Sequence, residues 1–142
     1  MKTFTLICMV MLSLSVNCSE DNGQGEGINI TGTWGIIDLT YVTPDGTQKV
    51  MEAEIKNGSA VSDYYFMNDS KFKQTSNMSG SGILETYEGT WKITGNKLII
   101  TLLYNGQNID VDYTVELKDE KLILTRTSPD GKMSIVNTFR KK

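Results

Sequence analysis

The sequence predicts an all-β chain wound as an up-and-down antiparallel β-barrel of about eight to nine strands, behind an export signal and a short tether. Three observations carry that expectation. Apolar residues recur with period two through most of the chain, turn motifs punctuate them at short intervals, and no window beyond the N-terminal segment shows a helical stripe. The length of 142 residues fits one folded domain. With 14 Lys and Arg against 17 Asp and Glu, the net charge of −3 argues against nucleic acid, whose phosphates require a basic face. The absence of histidine removes Ser-His-Asp and Cys-His catalysis and the commonest ligand of zinc, copper and non-haem iron. The expectation is a protein that is not an enzyme and has no cofactor.

Residues 1–17 read as a signal peptide. Lys2 supplies a positive charge, and Phe4 to Val16 is apolar apart from Thr5, Ser13 and Ser15. Such a run is shorter than the roughly 20 residues needed to span a bilayer as a helix. It ends Leu14-Ser15-Val16-Asn17-Cys18-Ser19-Glu20-Asp21. This stretch resembles a bacterial lipoprotein signal, with Cys18 as the lipidated first residue of the mature chain, and Ser-Glu-Asp resembles the export tag of surface lipoproteins in Bacteroidetes-type bacteria. Ordinary signal-peptidase cleavage after Ser15 is the alternative, giving a secreted or periplasmic soluble protein. Cys8 and Cys18 are the only cysteines, so cleavage leaves one, with no partner for an intramolecular disulfide. A lipid on that sulfur explains a lone exported cysteine. The expected membrane partner is then an outer-membrane leaflet, held through more than one acyl chain.

Residues 18–28 read as a tether. Ser19 to Gly27 alternates glycine with polar side chains, cannot bury enough surface to order itself, and extends to at most about 30 Å. Residues 29–142 form the folded body, with 13 basic and 14 acidic side chains, so its charge is nearly balanced.

Within the body the strands follow in order. Trp34 to Val42 is an apolar run, and Met51-Ala53-Ile55 alternate with Glu52-Glu54-Lys56. Leu98-Ile100-Leu102-Tyr104 continue the period, and Ile109-Val111-Tyr113-Val115-Leu117 alternate cleanly with Asp110-Asp112-Thr114-Glu116-Lys118. Leu122-Leu124 and Met133-Ile135 complete the series. Thr43-Pro44-Asp45-Gly46 and Ser128-Pro129-Asp130-Gly131 place Pro and Gly as turns require. Asn57-Gly58 and Asn105-Gly106 predict type I′ hairpins, and Gly95-Asn96 and Asp119-Glu120 serve similarly. Asn77 to Gly82 reads as the longest loop, at a barrel mouth. Sequential hairpins must hide one apolar face each and both sheet edges, which closure of the sheet accomplishes. A two-sheet sandwich is the alternative, but it needs long crossovers.

Gly32-Thr33-Trp34 opens the first strand, Tyr87-Glu88-Gly89-Thr90-Trp91-Lys92-Ile93 lies mid-chain, and Asn137-Thr138-Phe139-Arg140-Lys141-Lys142 ends it. This set resembles the lipocalin and wider calycin pattern, and more closely the lipocalin-like domains of Bacteroidetes-type lipoproteins. The resemblance covers Ile30 to Lys142. It implies that Trp34 is structural and that an arginine packs across it to close one barrel end. Arg140 is favoured for that role because the last strand should meet the first, with Arg126 as the alternate.

The carboxylate pairs Glu52/Glu54 and Asp110/Asp112 lie opposite apolar residues and read as solvated exterior. Asp38 shares a face with Trp34 and Ile36, so it either lines a cavity and bonds a ligand or faces outward. Candidate cavity-lining residues are Met51, Ile55, Phe66, Tyr87, Trp91, Tyr104, Tyr113 and Met133, whose rings and thioethers suit a flat or greasy ligand. The same residues would otherwise simply fill the barrel. The expected partner is a small hydrophobic or amphipathic ligand. The alternative is an interaction module with a filled barrel, binding a protein or glycan.

Overall fold

A computed structural model describes residues 27–79 and 81–142. The signal at residues 1–17, the lipidation site Cys18 and all of the tether but its last two residues lie outside them. The elements run β1 (Gly32–Thr43), β2 (Gly46–Lys49), α1 (Glu52–Asn57), β3 (Ser62–Phe66), β4 (Lys71–Ser76), β5 (Glu85–Thr94), β6 (Lys97–Tyr104), β7 (Gln107–Lys118), β8 (Lys121–Thr127) and β9 (Ser134–Lys141). From β3 onward every strand pairs antiparallel with the next in sequence, as hairpin connections dictate. β9 then returns to β1 in a ladder from Trp34–Lys141 to Val42–Ser134. Eight strands thereby form a closed barrel, and β2 is an extra strand hanging from the upper part of β1. Closure leaves the eight strands without a free sheet edge at that junction.

The turns form as their residues require. Asn105 and Gly106 both take positive φ (50° and 75°), as do Asp119 and Glu120 (51° and 60°). One expected strand does not exist. Residues 51–55 are not extended: Met51 turns left-handed at φ 52° and α1 follows. Three apolar residues at spacing two misled, because Ala, Glu and Lys favour helix over strand and a run of six residues is too short for period alone to decide. An ion pair between Glu52 and Lys56 at 2.7 Å, four residues apart, supports the helix. Asn57-Gly58 is accordingly a helix end and not a hairpin: Gly58 at φ 78° donates its N–H to the Ile55 carbonyl.

β1 changes partners along its length. Gly32 to Gly35 pair with β3, and Thr40 to Thr43 pair with β2. α1 packs beside β1, with Ile55 its half-buried apolar residue. On its other edge β1 carries a bulge: Ile36 opposes Phe139 and Asp38 opposes Thr138, so Ile37 is the inserted residue.

The core gathers at one end. Ile30, Trp34, Phe66, Phe72, Leu98, Leu122, Leu124 and Phe139 are buried there, from the first part of β1 and β4, the last part of β3 and β9, and the starts of β6 and β8. Phe66 and Phe72 rings lie 5.2 Å apart, and Phe66 meets Trp91 edge-on at 5.4 Å. Such aromatic pairs add about 0.5–1.5 kcal/mol beyond burial. The Trp34 indole donates to the Ile30 carbonyl at 2.7 Å, which fixes the entering chain across this pole.

Candidate functional site

Cross-strand partners share a face, so burial at the closed end identifies the inward row of every strand. On β6 the row is Leu98, Ile100, Leu102 and Tyr104, and its partners on β7 are Tyr113, Val111, Ile109 and Gln107. Toward the opposite end these inward residues become exposed. Tyr104 is 52% and Ile109 44% accessible, against 0% for Leu98. That end is the open mouth, and loops 44–45, 105–106 and 128–133 surround it. Residues 77–79 and 81–84 belong to the same rim, where sequence placed the longest loop. Ile83 and Leu84 there are exposed.

The wall of this open half is mixed. Tyr87 opposes Gln74 across the β4–β5 ladder. The Tyr87 hydroxyl donates to Glu85 at 2.7 Å, and that bond is the first cause of its raised pKa. Gln74 donates to the Ser62 hydroxyl at 3.3 Å. Below that wall, in the core, Tyr64 from β3 is buried among Phe66, Phe72 and Phe139, with the Phe139 centroid 4.6 Å from its own. Burial first, and then the facing Tyr113, push its phenol well above the usual range. Tyr113 is likewise raised by burial, and the Tyr64 hydroxyl and the Arg126 charge partly offset the rise. Both phenols therefore stay protonated at neutral pH. Tyr64 is not among the candidates drawn from sequence. Its two-residue spacing from Phe66, on a strand the alternation there does not mark cleanly, was the available signal.

The eight candidate lining residues and Asp38 separate into groups. Tyr87 and Tyr104 lie on the inward rows of the open half, while Tyr113, opposite Leu98, packs against the core. Phe66 and Trp91 face inward too, but at the closed pole, where the Trp91 indole donates to the Met67 carbonyl at 3.1 Å. Met133 sits in the loop before β9, half exposed at the rim. Met51 and Ile55 belong to α1 and its entry, off the barrel wall; Ile55 borders an outer cleft of about 250 Å³ with Asp63 and Lys142.

Asp38 faces outward. The Ile37 bulge inverts the alternation, so Asp38 shares the face of Thr138 and not of Phe139. It accepts hydrogen bonds from Lys49 at 2.9 Å and Thr40 at 2.8 Å. Burial works to raise its pKa, but those two bonds together with the charges of Lys49 and Lys56 outweigh burial and hold the carboxyl below its ordinary value.

The cation across Trp34 is also not the expected one. Arg140 opposes Gly35 on the outer face and is exposed. Lys141, which opposes Trp34, places its Nζ 5.7 Å from the indole centroid. One step of alternation makes the difference. Arg126 lies at the other end of the barrel and touches neither. Lys142 continues the seam, crossing Gly35 to pair with the buried Asp63 at 2.5 Å.

The family model described as a lipocalin-like domain matches residues 30–124. The chain belongs to that family. Its barrel also resembles solved structures from Bacteroides. A lipocalin-like protein from Bacteroides uniformis aligns at 22% identity and TM-score 0.51, covering 79% of this chain and 97% of that one. An uncharacterized protein from Bacteroides eggerthii aligns at 23% identity and TM-score 0.50, covering 80% and 100%. At these identities the likeness establishes the fold alone. No curated protein matches the chain.

Proposed function

We propose that this lipocalin-like protein is a non-catalytic binding lipoprotein, which takes up a small hydrophobic or amphipathic molecule through its open end. One observation carries the reading: inward-facing Tyr104 and its neighbour Ile109 are half exposed, although Leu98 and Ile100, lower in the same β6 row as Tyr104, are buried. A barrel evolved only as a solid module would have reason to continue its packing upward. A concave wall with aromatic faces and a few polar groups is the usual form of a small-molecule site. Burial of the ligand's apolar surface supplies the driving force, at roughly 25 cal/mol per Å² before entropic costs.

The anchor belongs to the same proposal. Cys18, lipidated, would hold the chain at an outer-membrane leaflet, on the cell surface if the Ser-Glu-Asp segment acts as an export tag. Replacing Cys18 with Ala should then move the protein from the membrane fraction to the soluble one. Unchanged membrane retention would count against the lipid.

Binding is tested by titrating a fatty acid, a bile-type sterol and a porphyrin while following tryptophan emission in a Trp34→Phe variant, which leaves Trp91 as reporter. Saturable quenching or a blue shift with at least one class is the expected result. Flat emission and an unmoved thermal midpoint with all three would leave the interaction module, whose exposed Ile83 and Leu84 would then mark its contact surface.

A further inference from the structure

Lys118, Lys121 and Arg140 stand in a row across three strands. Lys118 opposes Lys121 in the β7–β8 ladder, and Lys121 opposes Arg140 in the β8–β9 ladder. Direct partners share a face, with Cβ atoms about 5 Å apart. That face is the outer one, because the adjoining pairs Leu117–Leu122 and Leu122–Phe139 belong to the inward rows. Like charges set directly opposite one another weaken a sheet. No carboxylate relieves this row. Asp119 and Glu120, in the turn that joins Lys118 to Lys121, and Glu116, the next outward position on β7, make no ion pair with it; among the described residues the ion-paired carboxylates are held by Lys49, Lys56, Lys71 and Lys142.

The ends of the row, Lys118 and Arg140, border a groove of about 540 Å³ at the closed pole, together with Asn29, Trp34, Leu117 and Lys141. Lys141 adds a fourth cation, held over the Trp34 indole and not by an acid. Leu117 is 41% exposed at the lip of the groove. Asn29 belongs to the segment by which the tether enters the barrel, so the chain arrives beside the row. The opposite end carries the opposite sign. Asp45 and Asp130 outnumber Lys132 in the loops at the mouth, and the outer row of β7 near it holds Asp110 and Asp112.

We propose that the row is a docking surface for phosphate-bearing lipid headgroups, which seats the closed pole on an anionic leaflet and turns the mouth away from it. The guanidinium can bond two phosphate oxygens at once, and the ammonium groups act as point charges beside it. Phosphate between the cations removes their mutual repulsion, and Leu117 meets the apolar layer beneath the headgroups. A leaflet suits the position better than a soluble polyanion does, because a tether of at most about 30 Å enters at this pole. The surface is separate from the interior of the barrel. Only the choice of leaflet rests on the Cys18 anchor.

All nine strands lie beyond residue 31, so the chain made without residues 1–17 keeps the whole fold and carries no lipid. Flotation with vesicles then reads the row alone. Phosphatidylcholine containing about 30% phosphatidylglycerol should bind the chain about tenfold or more tightly than phosphatidylcholine does in about 20 mM salt, and the preference should vanish in about 0.5 M salt. A cation near an anionic surface is worth about fivefold, so Lys118→Gln with Lys121→Gln should weaken binding by about ten- to thirtyfold. Its thermal midpoint should be no lower than the parent's, because repulsion has been removed. Lys118→Arg with Lys121→Arg should keep the binding, and Lys132→Gln at the mouth should leave it unchanged. Equal binding to both vesicles, a preference that survives the double glutamine variant, or an equal loss on Lys132→Gln overturns the docking surface. Displacement by stoichiometric inorganic tripolyphosphate overturns the leaflet as its occupant. Each of these results leaves the anchor untouched, since membrane retention of the Cys18→Ala chain reads that separately.

Discussion

Leu98 and Tyr104 occupy the same inward row of one strand, yet the first is sealed from water and the second is half exposed. The contrast repeats around the barrel. Phe139 and Ile135 share a row on β9, and only Phe139 is fully buried. Alternation therefore fixes which side chains look inward, but not whether they meet anything. At the closed pole, rings from β3, β4, β5 and β9 interlock with leucines from β6 and β8, and stability accumulates there. At the open pole the same geometry leaves side chains available to a visitor. One half of the barrel holds the fold, and the other is free to vary with what it receives.

The sharpest way to break that contrast is at its packed side. Phe139→Ala, with its ring fully buried against Tyr64, should cost about 3–5 kcal/mol, read from the urea midpoint at constant slope. A loss below about 1 kcal/mol would mean that stability is not concentrated at that pole. Gly89→Ala probes the wall between the halves. A Cβ there would meet the Thr101 carbonyl oxygen, so β5 and β6 must separate. A loss of about 1–3 kcal/mol is expected, together with faster amide exchange along the β5–β6 ladder. If Gly89→Ala is neutral, the two strands have slack that the close approach denies. Smallest of the three, Tyr104→Ser should change stability by no more than about 0.5 kcal/mol. It should nevertheless weaken, several-fold, whichever of the fatty acid, sterol or porphyrin the parent chain binds; a large stability loss instead would place Tyr104 in the core.

Much of this architecture is legible in the residues. The clean alternation from Ile109 to Leu117 predicts β7, and the Asn105-Gly106 and Asp119-Glu120 pairs predict the turns on either side of it. The meeting of the first and last strands follows from the Gly-Thr-Trp opening and the Phe139 end. What escaped depends on single-residue offsets. Arg140 and Lys141 are adjacent in sequence and opposite in space, and composition cannot choose between them. Asp38 counts as inward by simple alternation and outward once Ile37 bulges. Residues 51–55 show an apolar period of two, while their intrinsic preference is helical, and the short segment followed preference. The site was harder still. Tyr64 and Tyr113 approach each other from strands far apart in sequence, and such an approach leaves no local mark in the residues.

The extra residue at Ile37 works as a half-period phase shift. Below it, even-numbered positions of β1 point to the lumen; above it, odd-numbered ones do, so Leu39 and Tyr41 join the interior while Asp38 reaches Lys49 outside. Deleting Ile37 would leave β1 alternating regularly with Asp38 still outside and Tyr41 still inside, whereas inserting one residue after the bulge without a second bulge would swing the carboxylate into the vessel and expel the phenol from its lip. Inserting two would restore the parity. The chemistry of that stretch of wall is thus set by a count.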